Sequence, residues 1–409
     1  MSCQRFSLSM NRHTLPPNQL STETPRTLKL ASDRLLAQLN LELTGPNVLV
    51  LLIHGTTLAS ALRESRPDLK FTFFTTEHFY FRTLQAFHAD SGVVLQPGTT
   101  SRVNSEPQTT GAVLDSVSIV CAADPPEQEY DEVIFPTLSG DSSELAQDLM
   151  QAAHQRLRPG GRLFASTNNP KDRWVQNQLK AIFSKVEVQK HKQGTVCIAT
   201  KSSPLKKEKG FRARFAFRQG ERLAFVESRP GVFCHRRVDG GARVLIRSLN
   251  LLKGTDEQPE FIPHRIVEMG CGSGAVSVAA AIEYPDAAIL AVDSDARAIE
   301  CTLRSAALNE IKSIQTLLTS DGVLPDPGTW DLLLGNPPYY SDYRISELFL
   351  QAARTGLREG GRIHLVTKLL EWHQARMEQL FADVKQHVIS DYTVFTAVAR
   401  NKPGTKTRR

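Results

Sequence analysis

The six cysteines of this 409-residue chain (Cys3, Cys121, Cys197, Cys234, Cys271 and Cys301) include no Cys-x-x-Cys pair, and no histidine lies in a His-Glu-x-x-His pattern. Neither a zinc framework nor a metalloprotease helix is encoded, and no metal is expected. Thiols scattered in this way fit a reducing compartment, so a cytoplasmic location is expected. No apolar run approaches the roughly 20 residues that span a bilayer, and no membrane partner is expected. Residues 1–27 have no apolar core and contain Pro16 and Pro17, so they read as a flexible tail rather than a signal peptide. The Gly-x-Gly-x-x-Gly fingerprint of dinucleotide sites is missing too. Acids are scarce in two places. Lys201–Arg218 has seven basic residues against Glu208, and Arg400–Arg409 has five and no acid.

What is present is an ordinary globular composition. The chain is 41% hydrophobic and 22% charged, which argues against global disorder, and its length suits two domains. The net charge of +6 favours an anionic partner, nucleic acid first. Val48–Ile53 is an uninterrupted apolar run typical of a strand buried on both faces. Phe71–Phe74, Val117–Val120, Glu132–Phe135 and Arg162–Ala165 read as further strands, with helices at 28–43, 58–63 and 144–157. Beyond the basic stretch, a helix is expected at 244–252. Strands are expected at 265–269, 288–292, 314–319, 331–335, 362–366, 384–389 and 393–398. Helices alternate with them at 275–282, 296–309, 346–357 and 369–381. This alternation indicates βαβ units and mostly parallel sheets.

The two halves resemble each other. Leu157-Arg158-Pro159-Gly160-Gly161-Arg162-Leu163 matches Leu357-Arg358-Glu359-Gly360-Gly361-Arg362-Ile363 at an offset of 200, and Gln151–Ala153 matches Gln351–Ala353 at the same offset. The repeat is too long for a solenoid and fits a duplicated domain. The expected division is a flexible tail (1–27), a degenerate α/β copy (28–200), a basic linker (201–221), an intact α/β domain (222–399) and a basic tail (400–409).

Four features of the second half stand in order, each at the carboxyl end of a strand, where open α/β sheets bind ligands. Glu268-x-Gly270-x-Gly272-x-Gly274 is a glycine-rich turn entering a helix. Its glycines let backbone approach a ligand, the helix N-terminus suits a carboxylate, and Glu268 can receive an ammonium. Asp293 is placed for two ribose hydroxyls. Asp321 could accept from an adenine amino group, although an ordinary loop aspartate reads the same way. Asn336-Pro337-Pro338-Tyr339 is a stiff loop that offers an amide, a carbonyl and a ring to a planar amino group.

These residues resemble the class I S-adenosylmethionine-dependent methyltransferases, and the Asn-Pro-Pro-Tyr loop resembles that of enzymes acting on adenine N6, guanine N2 or glutamine amide nitrogen. Pro230-Gly231-Val232-Phe233 with Asp239-x-Gly241 narrows the resemblance to bacterial ribosomal-RNA guanine-N2 methyltransferases. These carry tandem Rossmann-like methyltransferase domains, the N-terminal one degenerate. The resemblance implies S-adenosylmethionine as cofactor and ribosomal RNA or a ribosomal subunit as partner. It implies catalytic roles for Asn336, Pro337, Pro338 and Tyr339. Cofactor contacts are implied for Glu268, Gly270, Cys271, Gly272, Gly274, Asp293, Ser294, Asp321, Phe233 and Asp239. One departure stands out. The family loop usually ends in Phe followed by His, whereas here Tyr339 is followed by Tyr340-Ser341-Asp342-Tyr343. Adenine-N6 methylation of RNA or DNA therefore stays open, as does a non-catalytic RNA-binding assembly factor. An offset of 218 puts Leu52, His54, Thr56 and Thr75 where Gly270, Gly272, Gly274 and Asp293 stand, and the offset of 200 puts Pro136–Ser139 at the Asn-Pro-Pro-Tyr loop. The first half is thus expected to bind no cofactor and to help hold RNA.

Overall fold

A computed structural model describes residues 28–38, 42–89, 110–113, 117–140, 142–254, 259–338 and 341–400. The tails at 1–27 and 401–409 lie outside the described residues. The chain divides into two compact units with the break between Phe211 and Arg212, inside the stretch read as a linker.

In the first unit α1 (Ala31–Gln38), β1 (Asn47–Leu51), α2 (Thr57–Ser65), β2 (Lys70–Thr75), α3 (His78–Ala89), β3 (Thr110–Val113) and β4 (Val117–Cys121) come first. Then come β5 (Tyr130–Pro136), α4 (Ser143–Arg156), β6 (Leu157–Thr167), α5 (Trp174–Ile182), β7 (Lys185–His191) and β8 (Gly194–Thr200). The sheet order is β3-β4-β2-β1-β5-β6-β8-β7. Val48 to Leu51 are fully buried, as an apolar run in the centre of a parallel sheet requires. Leu49, Phe135 and Leu163 of the sheet pack with Leu149 and Met150 of α4 and Leu179 of α5.

The second unit opens with an antiparallel hairpin, β9 (Ala213–Gln219) and β10 (Arg222–Ser228). The expected linker is thus partly a strand, for a physical reason. Its cations are not simply solvated. Arg214 Nε bonds Glu227 at 2.8 Å, Arg212 Nη2 bonds Glu300 at 2.6 Å, and Arg229 Nη1 bonds Glu300 at 2.7 Å. Glu227 and Glu300 are buried, and a buried carboxylate without a cation costs several kcal/mol, on the order of 3–5. Arg212 and Arg214 therefore pair with buried carboxylates of the protein.

The rest of the unit is α6 (Gly240–Ser248) with a 3-10 turn at Leu249–Leu252, β11 (Arg265–Met269), α7 (Ala275–Glu283), β12 (Ala288–Asp293), α8 (Ala296–Leu308), β13 (Ile314–Leu318) and β14 (Trp330–Gly335). It closes with α9 (Arg344–Gly356), β15 (Leu357–Thr367), α10 (Leu370–Leu380), β16 (Phe381–Ile389) and β17 (Tyr392–Ala399). The order β13-β12-β11-β14-β15-β17-β16 repeats that of the first sheet without β3. Val267, Leu333 and Ile363 of the sheet pack with Phe349 and Leu350 of α9 and Met377 of α10.

Both sequence offsets recur in the strand register. Asn47 pairs with Lys70 and Arg265 with Ala288, an offset of 218 on both sides. Tyr130 pairs with Leu157 and Trp330 with Leu357, an offset of 200, and an irregularity follows at the same place in each pair. The two units repeat one Rossmann-like α/β fold in tandem. α3, α5, β7 and β8 fall in stretches where the apolar pattern had suggested no element.

Candidate functional site

The glycine turn joins β11 to α7. Gly270, Gly272 and Gly274 have φ of +76°, +54° and +81°, a left-handed region that favours glycine. Two of the three have a neighbour that explains the choice further. A Cβ on Gly274 would meet Thr302 backbone at 2.9 Å, and one on Gly270 would meet the Phe349 ring at 3.2 Å. At Gly272 nothing lies within 4 Å, so the space beside it is open. α8 braces the turn: Thr302 Oγ1 donates to the Gly272 carbonyl at 3.3 Å and Ser305 Oγ to the Ser273 carbonyl at 2.9 Å. Cys271 is buried, and burial pushes its thiol well above the ordinary range, so it acts as packing rather than as a nucleophile.

Two carboxyls sit beneath this turn, and among the described residues no cation pairs with either. Burial pushes the Glu268 carboxyl up to about 8, against a hydrogen bond from Ser277 Oγ. Burial likewise pushes Asp293 up to about 6, although it accepts from Gly272 N at 2.9 Å and Asp295 N at 3.0 Å. Two carboxyls raised in this way suit a ligand that brings an ammonium and hydroxyl donors. Open volume at Gly272, the start of α7 and these two acids together fit the amino-acid and ribose parts of S-adenosylmethionine. Ser277 was not anticipated, because its bond to Glu268 closes only when α7 folds onto β11. Ser294 follows Asp293 and is half-buried.

Asp321 is exposed. It accepts from Thr319 Oγ1 at 2.7 Å and Val323 N at 3.0 Å in a local turn. Phe233 is 61% exposed.

Asp239, expected on the cofactor, also holds protein groups through its Oδ2. As the N-cap of α6 its Oδ2 accepts from Gly241 N at 2.8 Å and Ala242 N at 3.4 Å. The same oxygen accepts from Asn336 Nδ2 at 3.0 Å. Two motifs 97 residues apart in sequence therefore meet. Gly241 makes the meeting possible, since a Cβ there would lie 2.5 Å from Asn336 Oδ1. Among the described residues no donor reaches that Oδ1, and it remains available as an acceptor. Pro337 is buried and Pro338 half-buried. Tyr339, the expected stacking ring, and Tyr340 lie outside the described residues. The departure that follows has a clear outcome. Asp342 and Tyr343 take φ of +46° and +64°, and the Tyr343 ring stacks on Trp372 with centroids 4.5 Å apart. Nothing in the local pattern announced this pair, since Trp372 lies on α10.

The family described as the methyltransferase small domain matches residues 224–396. A ribosomal RNA small subunit methyltransferase C of Pseudomonas putida is 28% identical over 246 residues, covering 58% of this chain and 70% of that protein. Its counterpart in Pseudomonas entomophila is 31% identical over 157 residues, which is 37% of this chain and only 44% of that protein. A 16S rRNA guanine-N2 methyltransferase of T. thermophilus, solved with AdoMet and guanosine, superposes with a TM-score of 0.71 at 20% identity. That superposition covers 92% of this chain and 93% of the other, and it carries the fold. No helix among the described residues is long and apolar enough to cross a membrane, and no metal-binding group of His, Cys, Asp and Glu occurs among them.

Proposed function

We propose that this chain, a member of the class I S-adenosylmethionine-dependent methyltransferases, methylates the exocyclic N2 amine of a guanine in ribosomal RNA. The observation that carries the reading is the Asn336–Asp239 contact, which stands an amide acceptor at the carboxyl end of β14, the strand beside β11. The names of the small-subunit relatives and the guanosine in the T. thermophilus complex support guanine over adenine. The net charge of +6 supports an RNA partner, met in the cytoplasm.

When bound, S-adenosylmethionine supplies a methyl group already activated on a sulfonium. Glu268, ionised, would hold its ammonium, the start of α7 its carboxylate, and Asp293 its ribose hydroxyls. Gly270, Gly272 and Gly274 leave that volume clear. Asn336 Oδ1 and the Pro337 carbonyl accept the two hydrogens of the target amine. They turn its lone pair out of conjugation with the ring and toward the donor. Tyr339 stacks on the extruded base, an interaction worth about 1–3 kcal/mol. Holding the two reactants in line supplies much of the rate. Proton removal needs no strong base, because the amine becomes acidic as the new bond forms.

Labelled cofactor incubated in parallel with naked rRNA, assembled small and large subunits and DNA tests this, with nucleosides resolved by mass spectrometry. N2-methylguanosine is expected. N6-methyladenosine would replace the reading with adenine chemistry. Absence of any product together with failure to bind S-adenosylmethionine in calorimetry would point to an assembly factor without catalysis.

A further inference from the structure

Asn336 can present either end of its amide to a substrate amine, and only the oxygen end is useful. A carboxylate has no proton to give, so the group hydrogen-bonded to Asp239 Oδ2 at 3.0 Å has to be the Asn336 NH2. That bond leaves Oδ1 as the end still able to bond. We infer that Asp239 is a positioning residue for methyl transfer, which selects the productive orientation of the Asn336 amide through the N-cap of α6. The inference rests on the proposed role of Asn336 toward the amine.

The geometry is built from both sides. Asp239 is itself fixed by Gly241 N at 2.8 Å and Ala242 N at 3.4 Å, so its Oδ2 is a stationary acceptor. Cys234 Sγ approaches the other oxygen at 3.5 Å. Gly241 removes the one side chain that would push the amide away, at 2.5 to 2.8 Å from the Asn336 head group. Without Asp239 the amide is free to turn over and face the target amine donor to donor. An aligned acceptor then becomes a repulsive contact.

Two replacements separate this role from helix capping and from cofactor binding. Serine is a good N-cap but too short to reach Asn336, whereas asparagine both caps and offers an oxygen to the Asn336 NH2. Asp239→Ser is expected to lower kcat about 10- to 100-fold, the worth of one hydrogen bond to a charged group, with S-adenosylmethionine affinity unchanged. Asp239→Asn is expected to recover most of that rate. In an Asn336→Ala background, Asp239→Ser is expected to slow turnover no further. The side-chain amide NH2 signal of Asn336, assigned by its loss in Asn336→Ala, reports the same contact without turnover. It should be shifted and protected in the wild type and in Asp239→Asn, and should move to free-amide values in Asp239→Ser. Weakened cofactor binding in Asp239→Ser, an additive loss in the double variant, or an amide signal indifferent to residue 239 would each overturn the inference. Full turnover in Asn336→Ala alone would instead overturn the proposed function.

Discussion

The two halves of the chain use one scaffold for different ends, and the places where they part are few. Leu52 N bonds the Phe74 carbonyl at 2.8 Å, and its counterpart Gly270 N bonds the Val292 carbonyl at 2.8 Å. Arg158 pairs with Asp131 as Arg358 pairs with Asp331. Those carboxylates also receive backbone amides at equivalent positions, Asn47 in one half and Arg265 in the other. At the ligand site the halves diverge at the carboxyl ends of the strands. Val50, fully buried, stands where Glu268 stands, His54 where Gly272 stands, and Thr75 where Asp293 stands. In the first half Thr57 Oγ1 donates to Asp33 of α1 at 3.3 Å, so protein meets protein at the turn. Strand register is a property of the whole sheet, whereas a ligand site depends on three or four side chains. A duplicated domain can lose the second and keep the first.

Transplanting first-half residues into the second half is the most severe way to break this comparison. Gly272→His introduces the residue of position 54. With φ at +54° a histidine strains the turn by about 1–2 kcal/mol, and with open space at the Cβ its ring fills the ligand volume. The dissociation constant for S-adenosylmethionine should rise by about 100-fold or more in calorimetry, with the melting temperature lowered by only about 2–8 °C from the backbone strain. Normal binding would mean that the turn does not decide which half takes the cofactor. Asp293→Thr, the residue of position 75, should cost about 10- to 100-fold in the same measurement, because it removes a charged acceptor but keeps a hydroxyl.

Much of this was legible beforehand because it is local. Apolar runs marked β1 and β14, glycine spacing marked the turn, and two constant offsets marked the duplication. The hairpin β9–β10 was hidden by its charge. Arg212 and Arg214 read as part of a basic linker because their partners, Glu300 and Glu227, lie beyond it in sequence. The role of Asp239 was hidden for a related reason. The family resemblance suggested the cofactor, while its contact with Asn336 is set by sheet order rather than by spacing. Tyr343 on Trp372 is a third case, since a ring stack between a loop and α10 leaves no periodic trace.

A titration sharpens the comparison further, because Val50 cannot titrate and Glu268 can. Burial raises the Glu268 carboxyl from 4.5 to about 8. A raised carboxyl contributes stability that is full below 4.5 and is lost as pH rises toward about 8, so the ligand-free protein should lose stability across that window. Binding an ammonium needs the ionised form. S-adenosylmethionine affinity should therefore weaken by about tenfold per pH unit as pH falls below about 8, with proton release on binding. Calorimetry in buffers of different ionisation heat reads both effects. Glu268→Gln should bind more weakly at pH 8 and lose both dependences between about pH 6 and 8, leaving only the Asp293 titration near 6. A pH-independent affinity in the wild type would remove Glu268 from the ammonium site.

The smallest expected effect tests the shared scaffold itself. Arg158 and Arg358 are about half exposed, and their carboxylate partners retain backbone donors when the arginine is gone. Asn47 N stays on Asp131 at 2.9 Å, and His264 N and Arg265 N stay on Asp331 at 2.8 Å each. Solvent screening and this residual satisfaction limit each pair to about 0.5–1 kcal/mol. Arg158→Ala and Arg358→Ala should accordingly lower the melting temperature by a similar amount, about 1–4 °C in differential scanning calorimetry. Cofactor affinity should be untouched in both, since the pairs sit at the strand ends opposite the glycine turn. A loss of binding in Arg358→Ala without a matching loss of stability would mean that this pair serves the site in one half and only the sheet in the other, and the two scaffolds would then no longer be equivalent.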